Sequence, residues 1–144
     1  MDNVAVNDIL DVMAVLIGFR HNQEEFVDFA KVQLNIQQNK RTEALEKLES
    51  IFDSDEIYIA DMCRFQHAWL TFLQGDVKLT KIQLSEIKNE TIFKELAHIF
   101  QAEILDYINK DISAAIDHYL EFLELYPQSI YYDDVRLRLR EITS

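Results

Sequence analysis

Apolar residues recur along this chain at helical intervals. Between 42 and 53, Ala44, Leu45, Leu48, Ile51 and Phe52 fall on one stripe, while Glu43, Glu46, Lys47 and Glu49 take the other side. That is the pattern of an amphipathic helix with one buried face, and Thr42 stands where an N-cap is expected. The same reading predicts helices over 6–20, 24–38, 57–74, 77–89, 91–108, 112–126 and 130–142, about eight in all. Polar or turn-forming clusters separate them: His21-Asn22-Gln23, Asn39-Lys40, Asp53-Ser54-Asp55, Gly75-Asp76, Asn109-Lys110-Asp111 and Pro127-Gln128-Ser129. The 112–126 segment is apolar over more than one face, through Ile112, Ala115, Ile116, Tyr119, Leu120, Phe122, Leu123 and Leu125, which predicts burial on two sides. Pro127 ends it, because the residue before a proline is pushed out of helical geometry, and Ser129 is placed to cap the next helix.

Three of these loop-and-helix blocks align. Gln38-Asn39-Lys40 precedes Ala44, Leu48 and Ile51; Gln74-Gly75-Asp76 precedes Thr80, Leu84 and Ile87; Asn109-Lys110-Asp111 precedes Ala115, Tyr119 and Phe122. The small residues Ala44, Thr80 and Ala115 are 36 and 35 positions apart. A helix-pair period in that range marks a stacked array of repeats. The third block, from Ala115-Ile116-Asp117-His118-Tyr119 to Leu125-Tyr126-Pro127, resembles the second half of a tetratricopeptide repeat, terminal proline included. Ala68, twelve before Thr80, falls where that family has a small residue in its first helix. The family's large early residue would fall on Arg64, and its leucine and tyrosine on His67 and Thr71, so the match is degenerate. The outer units fit the first-helix pattern only with one residue inserted. The resemblance covers 24–127 and implies an all-α fold: a right-handed stack of antiparallel helix pairs, with an apolar helix over 1–23 before it and a capping helix over 128–144 after it, in a single domain over 1–144. A non-repeating antiparallel bundle is the competing architecture.

Composition agrees with helices. The chain has 144 residues with only two glycines and one proline, and neither Gly18 nor Gly75 belongs to a phosphate-binding glycine pattern. Tight β-hairpins and nucleotide-binding turns both consume glycine, so all-β and dinucleotide-binding folds are disfavoured. A net charge of −12 repels phosphate backbones and anionic headgroups, which excludes nucleic acid and membrane surfaces as natural partners. The one basic concentration, Arg136, Arg138 and Arg140, reads as compensation of a helix C-terminus. Cys63 has no second cysteine to pair with. No disulfide-permissive compartment is therefore needed, and the cytoplasm is favoured. The longest apolar run, 12–19, is too short to cross a bilayer, which takes about 20 residues.

Chemistry-bearing patterns are sparse. His21, His67, His98 and His118 form no metalloprotease or nucleophile motif, and Cys63 with His67 supplies at most two ligands on one helix face. The acidic pairs Glu24-Glu25, Asp53/Asp55/Glu56 and Asp133-Asp134 sit mostly at expected helix starts, where the dipole favours them. The sequence therefore predicts no enzyme, no cofactor and no metal. Binding features are stronger. Phe65, Trp69 and Phe72 share a face with Ala68 and would line the concave groove that the resemblance implies; a small rotation turns the same stripe into core. Val12, Leu16 and Phe19 belong to a first helix that is apolar nearly all round, a surface that calls for a cover. The expected function is a non-catalytic interaction scaffold that binds a basic or apolar protein or peptide through the groove or the first helix. The alternative is a structural or homodimerisation domain forming the C-terminal part of a larger protein.

Overall fold

The computed structural model describes residues 38–144, and the described residues form two compact units, 38–91 and 92–144. The first holds α1 (Arg41–Glu49), α2 (Ile57–Leu73) and α3 (Val77–Ser85); the second holds α4 (Ile92–Glu103), α5 (Ile112–Leu125) and α6 (Tyr132–Thr143). A π-helical turn, Ile104–Ile108, continues α4. All described regular structure is helical, and these six helices correspond to the six expected from residue 42 onward. The helices expected over 6–20 and 24–38 lie outside the described residues.

In the first unit α1 and α3 both pack on α2. Eleven side chains of α2 are buried, including Phe65, Ala68 and Leu70, so this is the helix enclosed on most sides. In the second unit α5 contacts α4 and α6. The two-sided burial expected for 112–126 is not observed: α5 buries Ala115, Tyr119 and Phe122, whereas Leu120 and Leu125 are half exposed.

The three aligned blocks adopt one local geometry. Asn39, Gly75 and Lys110 each have positive φ, at 61°, 91° and 57°. Each is followed by an N-cap residue with φ between −96° and −88° and ψ between 70° and 81°: Lys40, Asp76 and Asp111. Each cap carbonyl then accepts from the amide of the small residue four places on, Ala44, Thr80 or Ala115, at 3.1, 3.1 and 2.9 Å. All nine repeat positions (44/48/51, 80/84/87 and 115/119/122) are buried. Asp76 and Asp111 add a side-chain cap, accepting from the Leu79 and Ala114 amides at 3.0 and 3.1 Å. Lys40 has no acceptor side chain, and α1 starts there rather than behind Thr42 because the Asn39 turn fixes its first residues.

The inserted residue also has a structural counterpart. Ala68 precedes Thr80 by twelve positions, whereas Ala102 precedes Ala115 by thirteen, and both alanines are fully buried. The π-turn between Ala102 and Ala115 takes up the extra residue: the Asn109 amide reaches back five places to the Ile104 carbonyl at 2.9 Å. Such widened turns hold an additional residue without ending the helix.

Helices α1 and α3 stop earlier than the pattern predicts. Ser50 and Ser85 turn their hydroxyls back on the carbonyls of Lys47 and Ile82, at 2.6 and 2.5 Å. The chain then tightens into three-residue turns that still bury Ile51 and Ile87. No helix among the described residues is long and apolar enough to cross a membrane.

Candidate functional site

The first unit contains an open cleft of about 450 Å³ between α1 and α3, floored by α2. Each wall follows from helical periodicity. Arg64 and His67 lie one turn apart on α2, and Leu79, Ile82 and Gln83 of α3 continue into its C-cap, Glu86, as one stripe. Glu49 ends α1, and Phe52 follows in the tight turn behind it.

Phe52 organises the floor. Its ring meets the His67 imidazole edge-on at 5.4 Å, and the Arg64 guanidinium lies 5.0 Å from its centroid. His67 Nε2 donates to Glu49 Oε1 at 3.0 Å, joining α2 to the end of α1. Arg64 is also drawn toward Asp61, at 3.8 Å. Asp61 is fully buried and accepts from Asn89 at 3.1 Å and from the Thr91 hydroxyl at 2.8 Å, so it ties down the end of the unit. The α3 wall is different. Leu79 is 42% exposed and Ile82 53% exposed, and on the same wall the buried Gln83 Oε1 has no hydrogen-bond partner among the described residues. A buried amide carbonyl without a donor forfeits hydrogen-bond energy, and such atoms are few in folded proteins.

The aromatic stripe of α2 divides. Phe65 is fully buried and belongs to the core; Trp69 and Phe72 are half-buried and stack on one another at 5.6 Å. The face of α2 that lines the cleft is therefore Arg64–His67 and not Phe65–Trp69–Phe72. Val12, Leu16 and Phe19 lie outside the described residues, as does His21. Cys63, on α2, is buried. The second α3 stripe escaped the sequence reading, although Leu79 and Ile82 are apolar residues left over once Thr80, Leu84 and Ile87 are assigned inward.

The second unit carries the strongest polar cluster. Asp106, on the π-turn and 2% exposed, accepts from the Tyr119 hydroxyl at 2.9 Å and from Arg138 Nε and Nη2 at 2.8 Å each. This corrects the reading of the C-terminal arginines. Arg138 is a bidentate partner of a buried carboxylate, Arg136 pairs with Asp133 at 3.1 Å, and only Arg140 lies in the last turn of α6. The Arg138 fork holds the Asp106 carboxyl below the usual range despite burial. Burial, then the Asp106 contact, pushes the Tyr119 phenol up. Burial and the nearby Asp106 charge raise Glu103 to about 7. Two donors from Arg138 and one from Tyr119 occupy Asp106, so the cluster fastens α6 to the π-turn. His98 Nε2 donates to the His118 carbonyl at 3.0 Å, and burial lowers its pKa.

No protein-family model, curated protein or solved structure matches this chain.

Proposed function

We propose that the chain is a non-catalytic protein-interaction module that docks a segment of a partner protein in the cleft between α1 and α3. The observation that carries this reading is the α3 wall: two large apolar side chains, Leu79 and Ile82, line a concave site while 42% and 53% exposed. Exposed apolar surface in a concavity with a polar rim is the signature of a binding site. The recurrent turn geometry at Asn39, Gly75 and Lys110 supports a repeat-built scaffold of the kind that the tetratricopeptide resemblance implies.

The test is photo-crosslinking from position 82. A partner captured there is purified and titrated against the native chain and against Ile82→Asp. The reading expects binding to weaken about tenfold or more with an unchanged helical spectrum, as for a central interface residue. Equal affinity for both proteins overturns it.

A further inference from the structure

The second unit carries a surface of its own, apart from the cleft. We infer that the outer face of α5 docks a basic amphipathic helix of a partner protein, whose aliphatic stripe covers Ile112, Ile116 and Leu120 while its lysines or arginines meet Asp117 and Glu124.

The aligned blocks single this face out. Leu120 is half exposed and stands five places after Ala115, and the same step from Ala44 and Thr80 reaches Glu49 and Ser85. Ile112, 38% exposed, stands where the first block has Arg41. The packing that the blocks share therefore calls for no apolar residue at 120. Ile112, Ile116, Leu120 and Leu123 recur at i, i+4, i+8 and i+11, so they lie on one side of α5, with Ile116 and Leu123 half-buried behind the two exposed residues.

Charge selects the occupant. Asp117 and Glu124 are exposed, lie one turn to either side of Leu120, and have no counter-charge among the described residues. The third acid of α5, Glu121, is turned toward His98 at 3.7 Å. No lysine or arginine occurs in α5, whereas every other described α-helix has at least one. A second copy of α5 would set these carboxylates against their own kind, which disfavours self-pairing. An extended peptide finds no free backbone groups along a helix, whose amides and carbonyls are bonded internally. A helical partner brings its own backbone already satisfied and packs its side-chain ridges against those of α5. Its lysine or arginine stems lie over the aliphatic stripe while their charged ends reach the carboxylates.

The experiment uses two acetylated, amidated peptides of alanine and leucine, about 18 residues long so that each is helical. One leucine stripe is flanked by lysine in the first and by glutamate in the second. Each is titrated at about 0.15 M salt, where diffuse attraction is screened, against the native chain, Leu120→Ser and the double variant Asp117→Lys/Glu124→Lys. The native chain is expected to bind the lysine peptide about tenfold or more tighter than the glutamate peptide, and Leu120→Ser to weaken the lysine peptide about tenfold. The double variant is expected to remove or reverse the preference. It still carries −8, each substitution adding two charges to −12, so diffuse attraction would leave the lysine peptide ahead. Retention of the full preference in the double variant overturns the inference, as does unchanged affinity in Leu120→Ser. Absence of lysine-peptide binding to the native chain at millimolar concentration overturns it too. A native chain that sediments as a dimer, and as a monomer in Leu120→Ser, overturns it in favour of a second copy. Loss of the lysine peptide in Ile82→Asp places that peptide in the cleft and equally overturns it. Helical spectra of the variants confirm that the fold is retained.

Discussion

Asp106 and Arg138, thirty-two positions apart, meet as a two-pronged ion pair with both contacts at 2.8 Å. The geometry is asymmetric: the carboxylate is buried, whereas the arginine side chain is 30% exposed and also reaches Glu141 at 3.2 Å. Removing either partner therefore has different consequences. Arg138→Leu leaves a buried carboxylate with Tyr119 as its main donor and is expected to cost about 3–5 kcal/mol at neutral pH. Asp106→Asn leaves an arginine that can turn to Glu141 and water, and is expected to cost less, about 2 kcal/mol. Urea unfolding followed by circular dichroism measures both; the single tryptophan, Trp69, lies in the other unit. A larger loss for Asp106→Asn than for Arg138→Leu contradicts the burial asymmetry.

The same pair fixes an acid limit. Asp106 has a lowered folded-state pKa, so it binds protons more readily when unfolded. Its contribution is present above the unfolded carboxyl pKa of about 3.9 and is lost as pH falls through the folded value. In Arg138→Leu the carboxyl no longer has its counter-charge, and the deficit relative to the native chain is expected to shrink between pH 7 and pH 4. A deficit independent of pH would place the role of Arg138 in contacts other than the ion pair.

Glu103 acts in the opposite direction. Its folded-state pKa of about 7 lies above the ordinary glutamate value of 4.5. The folded chain therefore holds the proton longer, and stability declines as pH rises from about 4.5 through 7. Glu103→Gln is expected to stabilise the protein by about 1–2 kcal/mol at pH 8 and by almost nothing at pH 4.5. A tenfold change in proton affinity corresponds to about 1.4 kcal/mol, and side-chain relaxation reduces the full amount. Thermal melts at both pH values decide; equal effects at the two exclude a titration origin.

Lys40 occupies the same backbone geometry as the capping residues Asp76 and Asp111 but offers no acceptor. Lys40→Asp is expected to supply the missing bond to the Glu43 amide and to raise stability by about 1 kcal/mol. A neutral or destabilising result would show that the α1 turn differs from the other two in a way its dihedral angles do not reveal.

The positive-φ positions give a matched pair of opposite sign. A Cβ at Gly75 would meet nothing within 4 Å, so Gly75→Ala tests backbone strain alone and is expected to cost about 1 kcal/mol. Lys110 already carries that strain at φ 57°, and Lys110→Gly is expected to stabilise by a few tenths of a kcal/mol to about 1 kcal/mol, relief of strain outweighing the added freedom of the unfolded chain. Both changes are read from urea midpoints at constant slope.

Periodicity determined the helices from 42 onward, because an amphipathic stripe and its breakers are local properties. It also placed the nine buried repeat positions and three equivalent turns, since a small residue four places after a cap is written in the chain itself. The one-residue mismatch between Ala68-Thr80 and Ala102-Ala115 was visible as spacing, but its solution as a π-turn was not, because spacing does not say which turn widens. Long-range partnership decided the rest. Arg138 reads as one of three equivalent arginines until α6 is laid beside Asp106. The α3 stripe of Leu79, Ile82, Gln83 and Glu86 looks like a solvent face until α1 and α2 wall it in. Sequence alone thus determined the helices from 42 onward, their order and the buried positions of the three aligned blocks, for these depend on neighbours within a turn or two, whereas the inward face of α2 was left open. Only the tertiary structure decided which polar groups are buried together and which apolar residues stay uncovered, because these depend on elements that meet in space across tens of residues.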